Sequence, residues 1–173
     1  MSIEEMLHAH VAAGRKLFEL ESLFTGDETV RTMIVSAEVL VAITPPFPET
    51  SAGDRLAEFR AWLDAFMEGA EITVAENPEN KPPEAMLARV HPVQADFWSI
   101  RVTEPSETPG IRSLGAFGAF DEFVALTWEL REEMGDFDAH VDEARAIWRD
   151  LFGSERPYQG DNVDAYLSQC RSV

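Results

Sequence analysis

Two arginines and three hydroxyls, Arg89, Ser99, Arg101, Ser113 and Thr127, are the residues of this chain whose types and spacing suit ligand chemistry. They fall within consecutive β-type runs, at positions that the pleat sends to one side of a sheet. Guanidiniums beside hydroxyls suit a carboxylate or a phosphate. The competing role is structural: arginines on a sheet face commonly pair with acids of a covering helix, or here with Glu129. Arg112 falls on the opposite, apolar side beside Trp128. There its stem covers apolar surface and its guanidinium stacks on the indole.

Other chemistry has weaker support. His8 and His10, two apart on a helix, point to different sides. His91 precedes a proline, and His140 has Asp136 four residues before it. With no H-x-x-x-H pair and no paired Glu-x-x-His pattern, no metal site is expected. The acid pairs Glu4-Glu5, Glu132-Glu133 and Asp142-Glu143 read as solvated faces in so acidic a chain. No G-x-S-x-G elbow, P-loop or Rossmann glycine pattern occurs, so no catalytic residue and no cofactor is assigned. Cys170 is the one cysteine, which excludes an internal disulfide and suits a reducing cytoplasm.

The elements that would position the arginines are four predicted strands, 86–91, 97–103, 111–117 and 123–130. The loops between them carry Pro92, Asp96, Pro105, Pro109-Gly110, Gly118 and Asp121. Keeping apolar residues opposite one another pairs Ala88 with Ile100, Trp98 with Ala116 and Leu114 with Leu126. One face then holds Met86, Ala88, Val90, Trp98, Ile100, Val102, Leu114, Ala116, Val124, Leu126 and Trp128. The other is mixed, with Phe97, Phe117 and Phe123 at one end and the candidate polar row toward the other.

Helices flank this meander. Ser2 and Glu5 form a capping box before a stripe running from Ile3 to Phe18, on which Gly14 suggests a close neighbour. Thr25-Gly26-Asp27 is a break, and Asp27 suits a helix cap. Residues 30–43 follow helical spacing but are apolar on most sides, which suits a central element or a subunit contact. Their β-branched content keeps a strand open as the alternative. Leu56, Phe59, Trp62, Leu63, Phe66 and Met67 mark a helical face. Ile72 to Val74 could form a short strand, 76–83 is a loop, and 136–152 is a long amphipathic helix. The tail, 154–173, contains a short helical stretch near Val163. The expectation is one α+β domain over 1–173: an antiparallel meander of about four strands, packed with helices from the N-terminal half and one C-terminal helix.

Charge narrows the function classes. Thirty-two acids against fourteen bases give −18 and a pI near 4.4, a balance that opposes direct nucleic-acid binding. Residues 1–80 carry −10, 81–131 only −2, and 132–173 carry −6. The meander is therefore the least hostile region for an anion. No signal peptide or membrane span is evident. A helix followed by a meander with arginines on one sheet face is loosely similar to small bacterial ribonuclease toxins, but none of their motifs occurs and no family follows. The favoured function is a cytoplasmic, non-catalytic interaction or assembly protein, acting on a protein partner or by self-association. The alternative is a protein or enzyme for a small anion at the Arg89/Arg101 face, with nucleic-acid processing behind both.

Overall fold

The computed structural model describes residues 1–24, 26, 28–105 and 110–173. Among these it contains four α-helices and one eight-stranded sheet. The helices are α1 (Ile3–Ala13), α2 (Ala37–Ile43), α3 (Ser51–Met67) and α4 (Phe137–Phe152). The strands are β1 (Leu17–Glu19), β2 (Thr32–Ser36), β3 (Ile72–Ala75), β4 (Leu87–Arg89), β5 (Phe97–Val102), β6 (Ile111–Ala119), β7 (Glu122–Leu130) and β8 (Cys170–Ser172). Their spatial order is β1-β2-β7-β6-β5-β4-β3-β8. The mixed α+β class is as expected, but the sheet is not a four-stranded antiparallel meander. That meander, β4 to β7, is its centre; β2 joins β7 in parallel, and β3 lies parallel to both β4 and β8. The suggested cap at Asp27 and the turn residue Pro109 lie outside the described residues.

Both faces of the sheet are buried. On one side α2, α3 and the 163–167 segment supply Val39, Ile43, Phe59, Leu63, Phe66 and Tyr166. These pack on Met33, Val74, Trp98, Ile100, Phe117 and Phe123. On the other, Leu7 of α1 and Val141, Ala144, Trp148 and Phe152 of α4 cover Ile34, Phe97, Leu114, Ala116 and Val124. The single apolar face expected from sequence is thus split between two cores.

The register explains the split. Ala88 pairs with Ser99, Ser99 with Leu114, and Phe97 with Ala116, each one residue away from the apolar-matched pairing. When both faces are buried, matching apolar residues across strands does not specify register, and the turns and bulges decide it. Asp96 holds a left-handed conformation at the β4–β5 turn, and Asp121 does so at the β6–β7 turn. A bulge in β7 shifts the partner of Leu114, Thr127, to Ala125 for Gly115, leaving Leu126 as the extra residue. At Gly115 a Cβ would lie 1.9 Å from the carbonyl oxygen of Val124, so only glycine fits beside the bulge.

The apolar segment 30–43 is neither one helix nor one strand. It is β2, an inner strand with Met33, Ile34 and Val35 buried, followed directly by α2. Ser36 makes the switch: its Oγ caps Val39 N at 3.2 Å and donates to the Leu126 carbonyl at 2.8 Å. Leu17 and Phe18 likewise leave the first helix for β1. Gly14, rather than marking a close neighbour, ends α1 in a left-handed cap with open space around it. Substituting Gly115→Ala should destabilise the fold by about 2 kcal/mol or more, because the clash is with backbone that the bulge holds in place. Urea denaturation measures this.

Candidate functional site

The five polar residues singled out from the sequence do not share a face. Ser99, Arg101 and Thr127 lie on the α4 side of the sheet; Arg89 and Ser113 lie on the α3 side. Arg89 is engaged there. Its guanidinium sits 4.6 Å from the Trp98 ring centroid, its Nη2 donates to the Tyr166 hydroxyl at 3.0 Å, and Asp96 Oδ1 lies at 3.5 Å. Asp96 in turn accepts from Tyr166 and Gln159. This network pins the C-terminal segment against the β4–β5 turn. Ser113 is wholly buried between Ile100 and Trp128 on neighbouring strands.

Arg101 instead has Arg112 as its cross-strand partner. Because the register differs by one from the apolar matching, Arg112 leaves the Trp128 side and stands on the α4 side, where sequence reasoning did not place it. Lys81, from the loop between β3 and β4, and Arg131, just after β7, complete a cavity of about 290 Å³ that Ser99, Ala88 and Phe137 also line. The large aromatics of α4, Trp148 and Phe152, pack farther along against Phe97 and α1. The arginine row thus lies beside the first residue of the helix rather than beneath its aromatic body.

Among the described residues, four cations and no carboxylate line this cavity. Among the described residues no carboxylate oxygen lies within 4.0 Å of Lys81, Arg101, Arg112 or Arg131. Arg101 Nη1 donates to the Pro82 and Ala85 carbonyls at 2.8 and 3.2 Å, which ties the Lys81 loop to the sheet. Among the described residues, Arg112 Nη1 donates only to the Ile111 carbonyl, at 3.1 Å. Lys81 Nζ lies 5.2 Å from the centroid of the Phe137 ring. Elsewhere the buried arginines are compensated: Arg55 meets Glu132 at 2.7 Å, and Arg60 meets Asp64 at 3.3 Å.

The electrostatic consequence is a site of positive potential that nearby acids relieve only in part. Burial, then Arg101 and Arg131, pull the Arg112 guanidinium down to about 10. Burial lowers Arg101, with Arg131 adding to the effect and Glu84 opposing it. Burial and the two strand arginines lower Lys81, against Asp138 and Glu79. Glu129 faces Arg112 in register, but its charge is felt at Glu38, whose carboxyl burial pushes upward. Such a cluster can hold an anion through charge-assisted hydrogen bonds, with Ser99 as a neutral neighbour.

A second hollow, of about 270 Å³, lies under α1, where His8 Nε2 stands 3.6 Å from Glu122 Oε2. Burial raises the Glu122 carboxyl, with His8 opposing. Cys170 is unsuited to nucleophilic work at neutral pH, since burial, then Asp164, push its thiol up to about 11.

A lowered guanidinium pKa means that the charged form is disfavoured in the folded chain, and the penalty is present at every pH below about 10. Arg112→Met should therefore raise stability at neutral pH, by about 1 kcal/mol, or a few degrees in Tm. Calorimetry without added anion measures this; a loss of stability would mean that the charge is compensated in the native state.

No family model matches this chain, and no curated protein or solved structure matches it either.

Proposed function

We propose that this protein binds a small anionic ligand in the cavity formed by Lys81, Arg101, Arg112 and Arg131. The observation that carries the proposal is the gathering of four cations, none of them in an ion pair among the described residues, into one cavity of a chain whose net charge is −18. Uncompensated half-buried charge costs stability, and a bound anion would relieve that cost. An extended nucleic acid is disfavoured, because beyond the cavity it would meet an acidic chain. The assembly reading favoured from the sequence rested on the absent catalytic motifs, the acidic surface and the apolar 30–43 segment; most of that segment's apolar side chains pack inside this chain as β2 and α2, while Val30 and Val41 stay exposed. No helix among the described residues is long and apolar enough to cross a membrane. A cytoplasmic setting, suggested by the lone cysteine, is part of the proposal.

Isothermal titration with inorganic phosphate, sulfate, acetate and succinate tests it. At least one of these should bind at one site, more weakly as salt is added. Replacing Arg101 or Arg112 by Ala should weaken binding about tenfold or more, the scale of one charge-assisted hydrogen bond. Arg171→Ala, outside the cavity lining and paired with Glu71, should leave binding unchanged. Absence of binding at millimolar concentration, or equal losses from all three substitutions, would overturn the proposal.

A further inference from the structure

We infer that the ligand carries a phosphoryl group, bound as its dianion and attached to a small organic body; this rests on the anion-binding proposal above. The first ground is the placement of the donors. Arg101 and Arg112 rise from adjacent strands, Lys81 comes from the β3–β4 loop, and Arg131 from the segment after β7. A carboxylate is planar and can be satisfied by a single guanidinium fork. A phosphoryl group offers three strong acceptor oxygens in a tetrahedral arrangement, so it can take donors from several elements at once. Those donors are available: Arg112 spends one nitrogen on a carbonyl, Arg101 spends one, and Lys81, beside the Phe137 ring, makes no hydrogen bond or ion pair among the described residues.

The second ground is charge. A monoanion would offset one of the four cations, whereas a dianion offsets two. The third is space. The cavity of about 290 Å³ has walls at Ala88 and Phe137 that present apolar surface beside the cations. A bare phosphate ion would leave that part unused, and a small phosphomonoester fills it. A longer phosphate polymer would extend past the cavity onto acidic surface.

Two features of the chain make the test sharp. Lys81 is one of only two lysines; the other, Lys16, belongs to neither the cavity nor the meander. A phosphomonoester also changes charge near pH 6, whereas sulfate stays dianionic throughout. The experiment is calorimetric titration of the full chain with glycerol phosphate, inorganic phosphate, sulfate and acetate at pH 7.5 and 5.5. Acetic anhydride labelling of both lysines, with and without each anion, accompanies it.

Glycerol phosphate should bind most tightly and acetate at least tenfold more weakly. Glycerol phosphate affinity relative to sulfate should fall about fourfold from pH 7.5 to 5.5, the drop in dianion fraction for a second pKa near 6. Bound glycerol phosphate should protect Lys81 and leave Lys16 labelled. Acetate binding as tightly as glycerol phosphate, or a ratio to sulfate that does not move with pH, would overturn the phosphoryl assignment and leave anion binding standing. Binding without protection of Lys81 would overturn the location. No binding by any of the four would overturn the anion-binding proposal as well.

Discussion

Burial of the central sheet on both faces is the constraint on which the rest of this structure depends. β2, β7, β6, β5 and β4 have apolar layers above and below, so their side chains must pack in both directions. α2, α3 and the 163–167 segment close one side; α1 and α4 close the other. A polar side chain on an inner strand then has two outcomes. It is absorbed by an internal network, as Arg89 is by Asp96, Tyr166 and Trp98. Otherwise it stands where a covering layer stops, as Arg101 and Arg112 do beside the first residue of α4.

The electrostatic arrangement follows from that geometry. Residues 81–131 contain five bases, and four of them, Lys81, Arg101, Arg112 and Arg131, line one cavity. The cross-strand pairing of Arg101 with Arg112 places like charges side by side, which is unfavourable in a sheet. Natural sequences usually avoid such local conflict, and where it persists it marks a functional or strained site. On the proposed reading, that conflict sets stability of the fold against readiness to bind an anion.

Much of this was legible in the sequence, and the failures have specific physical causes. The four central strands, the Leu56–Met67 helical face and the 136–152 helix follow from periodicity and punctuation. The outer strands β1 and β8 are three residues each, too short to declare a period. The 30–43 segment misled because a buried strand running straight into a helix is apolar on all sides by either period. The one-residue register difference came from assuming a single buried face. It moved Arg112 away from Trp128 to stand opposite Arg101 on the cavity side, and it separated Arg89 and Ser113 from Ser99 and Arg101. Lys81 sits in a proline-rich loop and Arg131 at a strand end, where no spacing rule connects them to Arg101. The one available signal was regional: the near-neutral 81–131 stretch in a strongly acidic chain pointed to the right neighbourhood, though not to the right set of side chains.

On the proposed reading the cavity arginines are free to receive an anion, whereas the buried ones elsewhere are held by carboxylates. The most direct measurement is the ¹H–¹⁵N spectrum of the arginine Nε–H groups during titration with inorganic phosphate. The signals of Arg101 and Arg112 should move together along one saturable curve, while those of Arg55, Arg60 and Arg89, held by Glu132, Asp64 and Asp96, stay in place. Arg101 and Arg112 signals that do not move, or that move no more than the exposed Arg171, would show that the cavity takes up no anion.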